Sequence, residues 1–262
     1  PLLALAASKN LRVGCAPDTF LGAGIQTARK LLDDGAIGAP VAATAFMLTP
    51  GHESWHPDPE FYYQPGGGPM LDMGPYYLTA LVTLLGPVAR VAGFATATHP
   101  TRTITSDKKR GSIIPVETPT HFATSLQFAS GPLASLVMSF DCFPGNLPRI
   151  EIYGTQGTLS LPDPNTFGGG GQLSLKRGRD PWQVMPYSHP YQAEWRGLGV
   201  AEMVAAIRAE RPHRASGALA GHVLEVMDAS IRTAEQGRAI DIRSSVSRPE
   251  PLPAELSEGH FG

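Results

Sequence analysis

Two stretches of alternating apolar residues, each doubled back across a short turn, constrain this chain most. Leu126 and Phe128 are followed by Ala129-Ser130-Gly131-Pro132 and then by Leu133, Leu136, Met138 and Phe140. Residues 150–153 and 158–161 flank Gly154-Thr155-Gln156-Gly157 in the same way. Alternation marks a strand with one buried face, and a glycine-bearing turn between two such runs marks a hairpin. Further strand-like runs lie at residues 41–49, 88–98 and 120–128, with weaker ones at 172–176 and 182–185. Successive strands joined by short turns pair antiparallel. The chain therefore predicts a large, mostly antiparallel sheet.

Helical patterns stand at both ends of these strands. Residues 24–34 read as an amphipathic helix stopped by Gly35 and Gly38. Residues 194–210 predict a second helix and 216–237 a longer one, with Leu219, Val223, Val226, Met227 and Ile231 near helical spacing. Residues 240–242 read as a last short strand. At the start, residues 2–7 read as the end of a helix and 11–16 as a short buried strand ended by Pro17, with Cys15 a buried free thiol. This opening resembles the closing part of an α/β unit. Residues 248–262, rich in proline and glutamate, predict a loose tail.

Charged residues make up 17% of the 262 residues, against about 25% in an ordinary domain. Much of the surface should be sheet or interface rather than solvated helix. A net charge of −2 argues against nucleic acid or an anionic membrane as partner. No run reaches the roughly 18 apolar residues of a membrane span. Two cysteines form no disulfide framework, which fits a cytoplasmic setting.

The chemistry concentrates in GGGPMLDMGPYY, residues 66–77. Three glycines let the backbone take positive φ and let another group come close. Asp72 and Tyr76 follow at the start of a helix, four residues apart and so on one face. A carboxylate beside a phenol can bind and move protons. The plainer alternative is that Asp72 caps the helix and Tyr76 is a buried aromatic. A phenol ionises near about 10, so a base role would call for a nearby ammonium. None of Lys9, Lys30, Lys108, Lys109 and Lys176 is evidently placed to supply one.

His52-Glu53-Ser54-Trp55-His56 matches H-E-x-x-H, which holds zinc only when both imidazoles share a helix face. Pro50, Gly51, Pro57 and Pro59 argue against that helix. The segment reads instead as a loop over a polar pocket, with Trp55, His56, Tyr62 and Tyr63 offering stacking surface and hydrogen-bonding tips. A zinc hydrolase through His52 and His56 is the weaker reading. Gly22-Ala23-Gly24 lacks the third glycine of a dinucleotide fingerprint, Thr27 standing there instead. The glycine-bearing runs 154–157 and 168–171 read as turns rather than phosphate loops.

Four segments taken together resemble the C-terminal portion of the Gfo/Idh/MocA family of NAD(P)-dependent oxidoreductases. They are LRVGCAPDTFLGAGIQTARKLLDDGAIGAPV, HPDPEFYYQPGGGPMLDMGPYYLTALVTLLGPVARV, EIYGTQGTLSLPDP and HVLEVMDASIRTAEQG. The resemblance implies an α+β fold, a mostly antiparallel open sheet with flanking helices, like the C-terminal domains of dihydrodipicolinate reductase and GAPDH. It implies residues 1–21 as the end of a nucleotide-binding Rossmann domain, 22–247 as a substrate-binding and oligomerisation domain, and 248–262 as a tail. The rest of the Rossmann domain and a catalytic lysine would lie upstream of Pro1, leaving this portion inactive alone. The implied reaction is hydride transfer between NAD or NADP and a hydroxyl carbon of a sugar or polyol. Asp72 matches the family's aspartate, while Tyr76 stands where a histidine often does. Proton transfer then falls to Tyr76, or to His56 from the preceding loop. Pro17, Asp18 and Thr19 would approach the nicotinamide, and Trp55, His56 and Tyr62 would line the sugar pocket. A homo-oligomer would form through the open sheet face. The alternative is a non-catalytic sugar-binding or oligomerisation module.

Overall fold

The alternating runs form one nine-stranded sheet. The computed structural model describes residues 1–168, 171–254 and 256–261, so Gly169 and Gly170 of the expected turn at 168–171 lie outside the described residues. In chain order the elements are α1 (Leu2–Ser8), α2 (Ala23–Asp33), β1 (Pro40–Leu48), α3 (Pro69–Asp72), α4 (Gly74–Leu85), β2 (Val88–Thr96), β3 (Thr101–Thr103) and β4 (Ile113–Pro115). They continue with β5 (His121–Phe128), β6 (Leu133–Ser139), β7 (Ile150–Gly154), β8 (Gly157–Leu161), β9 (Ser174–Arg177) and β10 (Gln183–Val184). α5 (Leu198–Arg208), α6 (Gly217–Gln236) and β11 (Ile240–Asp241) complete them.

The sheet runs β10-β9-β8-β7-β1-β6-β5-β2-β11. Its pairs are antiparallel apart from the parallel pair β1 and β6, in which Ala45 lies opposite Leu136. Both predicted hairpins form, β5 with β6 and β7 with β8. In the second, a Cβ on Gly154 would stand 2.2 Å from the Ile37 carbonyl, so only glycine admits this approach of hairpin to chain.

One sheet face is buried. Ala43, Ala45, Met47, Phe122, Leu126, Leu136, Met138, Ile150 and Ile152 join a core with α2, α4 and α6. α4 is apolar nearly all round, and of its residues only Pro75 and Tyr76 are less than fully buried, as expected of a helix held inside a core. The opposite face stays open: Phe94 is 80% exposed and Leu133 59%. Among the described residues, no helix is long and apolar enough to cross a membrane.

Several expectations are corrected. Residues 11–16 form no strand of the sheet; only Gly14 bridges to Ser216, and Cys15 is exposed rather than buried. An apolar run reads as a buried strand only where neighbouring strands flank it, and the described residues place none there. The short ribbon of β3 and β4 was not legible in the sequence. The helix expected over 194–210 starts at Leu198, where Asp18 accepts hydrogen bonds from the Gly197 and Gly199 N–H groups. The tail is not loose. Arg29 donates to the Pro249 carbonyl, Arg214 to those of Glu250 and Pro251, and Leu252 is buried. This tail is held mainly through its carbonyl oxygens, which prolines keep although they lack an N–H. A reading based on side-chain hydrophobicity misses such an anchor.

Candidate active site

Glycines set the site by shaping the chain before α3. Gly68 has φ +84°, and a Cβ on Gly67 would fall 2.4 Å from the Phe61 carbonyl. The 66–68 segment therefore folds tightly over residues 61–62. Pro69 then starts the one-turn helix α3, and Pro75 sits in the first turn of α4. The single helix expected here is thus two, broken at Met73. Asp72 closes α3, and no side chain caps α4, so the capping alternative for Asp72 does not hold.

Asp72 faces His52. Its Oδ2 lies 3.4 Å from Nε2, with Asp72 about a third exposed and His52 nearly enclosed. The approach is within ion-pairing reach but lacks hydrogen-bond alignment, and neither ring nitrogen of His52 has a hydrogen-bond partner among the described residues. The His52 ring packs against Tyr62 at 4.0 Å and Phe140 at 4.5 Å between centroids, with Trp55 at 5.3 Å. Burial, then the nearby Asp72 and Tyr76, push the Tyr62 phenol above its ordinary value. Tyr62 is thus a neutral hydroxyl at neutral pH.

The loop carrying His52 and Trp55 is fixed from behind. Arg102 Nη1 reaches Glu53 Oε1 at 3.0 Å, and its Nη2 bonds Asp141 and the Phe140 carbonyl. The Tyr63 hydroxyl donates to Glu53 Oε2 at 2.7 Å and accepts from the His52 N–H. Ser106 donates to the His56 carbonyl. These contacts hold the segment as a turn, so the zinc reading loses the helix it requires. Among the described residues, no group of three or more His, Cys, Asp or Glu side chains is placed to hold a metal ion.

Beside this centre lies a cavity of about 310 Å³, lined by His52, Trp55, Met73, Arg149, Asp163 and others. An exposed indole offers a stacking surface, and the Arg149–Asp163 pair at 3.5 Å offers donors and acceptors. Such a lining suits a small polyhydroxylated molecule.

Of the residues singled out in the sequence, Asp72, Trp55 and Tyr62 stand around His52. It does not place His56 with Asp72. His56 Nδ1 accepts from the Asp58 N–H at 3.0 Å, and its ring packs on Phe61 and Tyr62. Tyr76 opens on a second cleft, lined also by Pro17, Asp18, Arg196 and Met203, with no lysine in its lining. The one sequence signal for His52 was the metal motif, which pointed to other chemistry.

Pro17, Asp18 and Thr19, expected near the nicotinamide, have different surroundings. Asp18 is engaged by Gly197 and Gly199, and Thr19 is buried. Pro17 borders an apolar cavity of about 780 Å³ whose lining has no lysine or arginine. The second cleft adds Arg196 alone, already bonded to Asn165. A pyrophosphate calls for N–H groups or cations gathered at one place, so these residues bear on the nicotinamide end alone.

The family model for the GFO/IDH/MocA C-terminal domain matches residues 25–160. No curated protein matches the chain. Levoglucosan dehydrogenase in complex with NADH and L-sorbose superposes with a TM-score of 0.73 at 18% identity, over 93% of this chain and 69% of that one. Aldose-aldose oxidoreductase from Caulobacter crescentus complexed with glycerol gives 0.68 at 21% identity, over 92% and 67%. An oxidoreductase from Agrobacterium radiobacter in complex with NAD+, L-tartaric acid and magnesium gives 0.64 at 18%, over 92% and 68%. At these identities the likeness establishes the fold.

Proposed function

We propose, since this chain belongs to the GFO/IDH/MocA family, that it is the substrate-binding portion of an oxidoreductase acting on a hydroxyl carbon of a sugar or polyol. One observation carries this reading. Asp72, free of any capping role, meets His52 beside a cavity furnished with an indole and a guanidinium–carboxylate pair. The fold likeness to proteins crystallised with L-sorbose and glycerol is in keeping with it.

A nicotinamide dinucleotide would accept or supply the hydride, as in family members. Pro17, Asp18 and Thr19 would approach its nicotinamide end. The chain's own part is to seat the substrate and handle its hydroxyl proton. Trp55 would stack on the sugar's apolar face, and Tyr62 would donate from its neutral hydroxyl. Asp72 would orient the reacting hydroxyl. Tyr76, in the second cleft with Pro17 and Asp18, would face the cofactor side. The domain limits at residues 21 and 247 and a homo-oligomer through the open sheet face complete the proposal.

The test is oxidation of a panel of sugars and polyols by the full-length gene product, with NAD+ and NADP+ compared through the fluorescence of the reduced cofactor. Turnover of one sugar class supports the reading. Sugar binding without turnover favours a non-catalytic binding module instead.

A further inference from the structure

His52 combines two properties that do not ordinarily occur together. It is a buried imidazole, 8% exposed, and both its nitrogens lack a hydrogen-bond partner among the described residues. Buried polar atoms are nearly always paired, so an unpaired ring calls for an explanation. Yet its position is not loose. Tyr63 binds its backbone N–H, Arg102 and Glu53 pin the loop, and three aromatic rings enclose it. The imidazole is held by everything except its own nitrogens. Asp72 stands 3.4 Å from Nε2, and its carboxylate is the more exposed of the two.

We propose that Asp72 and His52 work as a dyad. Asp72 is the group that touches the substrate hydroxyl, and His52 is a positioning residue that acts through it. The inference rests on the sugar or polyol reading above. The substrate O–H bond breaks and its proton passes to Asp72. The Asp72 proton moves to Nε2 of His52, leaving a carboxylate against an imidazolium. The electron pair of the broken O–H bond forms the C=O as hydride leaves the carbon for the nicotinamide dinucleotide named above. An imidazole is suited to keep that proton because its ordinary value, about 6.5, lies near neutrality. A carboxylate alone ionises near about 4 and is a weak base there. Hydrogen bonds of this kind are often long and poorly aligned before substrate binds. The neighbouring proton carriers are accounted for. His56 is occupied by Asp58, Tyr62 is a neutral phenol, and Glu53 and Asp141 pair with Arg102 behind the loop. Across the cavity Arg149 pairs with Asp163, and Tyr76 borders the other cleft.

The experiment combines turnover with a spectroscopic readout on the full-length gene product. His52→Gln should lower kcat by about 10²-fold, with a smaller change in KM, and should erase the acid limb of the pH–rate profile. Asp72→Asn should lose the same limb. In the wild type, the His52 ring NMR signals, assigned through their contacts with the Tyr62 and Phe140 rings, should shift when the polyol substrate is added, and should not do so in Asp72→Asn. Should His52→Gln fold poorly, the wild-type and Asp72→Asn spectra still decide. Wild-type turnover together with an unchanged kcat and pH profile in His52→Gln overturns the dyad and leaves the proposed function standing. Neither turnover nor a polyol-dependent His52 shift in the wild type overturns the function itself, and the dyad with it.

Discussion

Arg102 and Glu53 meet at 3.0 Å beneath the loop that carries His52 and Trp55, and the same guanidinium bonds Asp141, two residues beyond the end of β6. All three side chains are nearly enclosed. The pairing therefore ties the site loop to the sheet in surroundings of low polarity. Removing one partner leaves two buried carboxylates opposed. Arg102→Met is expected to destabilise the fold by about 3 kcal/mol. Urea unfolding of the variant beside the wild type measures it, and a loss under 1 kcal/mol would make the network incidental.

His222 predicts the pH dependence of stability. Its Nε2 accepts from the Val88 N–H at 3.0 Å while Nδ1 meets the Ser244 hydroxyl at 2.8 Å. Only the neutral ring can accept at Nε2. Burial holds His222 below the ordinary histidine value, partly opposed by Glu225 and Ser244, and burial does the same to His189. The unfolded chain therefore takes up protons, near pH 6.5 or so, that the fold refuses. Stability is complete above that pH and is lost as pH falls toward the depressed folded values. Chemical denaturation at a series of pH values should show this slope, and His222→Gln should flatten its share of it.

The terminal strap should bear on stability rather than trail in solvent. Ending the chain at Ser247 removes the acceptors of Arg29 and Arg214 and the buried Leu252. Calorimetry should show the melting temperature falling by at least about 5 °C, as expected for a loss of about 2 kcal/mol in a domain of this size. An unchanged melting temperature would mark these contacts as idle.

Gly68→Ala should damage the site from a distance. The residue has φ +84°, and its Cβ would stand 2.8 Å from the Pro119 carbonyl. With ψ 164° the backbone is in a region essentially only glycine adopts, which costs an L-residue about 1–3 kcal/mol before the clash is added. The expected result is a loss of at least that size in urea unfolding, accompanied by weaker sugar binding as α3 and Asp72 shift.

The open sheet face offers a test of assembly. Phe94 on β2 is 80% exposed and Leu133 on β6 59%. Phe94→Asp should shift the sedimentation-derived mass toward the monomer while the circular dichroism spectrum is kept. An oligomer that tolerates this aspartate does not assemble through this face.

Much of this protein was determined by sequence alone. The alternation in β5 to β8 fixed four strands and two hairpins because a period of two leaves one face for the core. The glycines before Asp72 announced a close approach of another group, and the residues after them the start of a helix. These signals are local, carried by neighbours in the chain. The rest depended on contacts between distant segments. The run around Cys15 is apolar enough for a strand yet finds no sheet partner among the described residues. The prolines of 248–253 lack N–H groups, but their carbonyls meet buried arginines from other elements. His52 looked like half of a metal motif until the fold set it against Asp72, across the break that Pro75 and Met73 impose between α3 and α4. Periodicity can tell which side of an element is buried. Which imidazole faces which carboxylate is decided only when the elements pack.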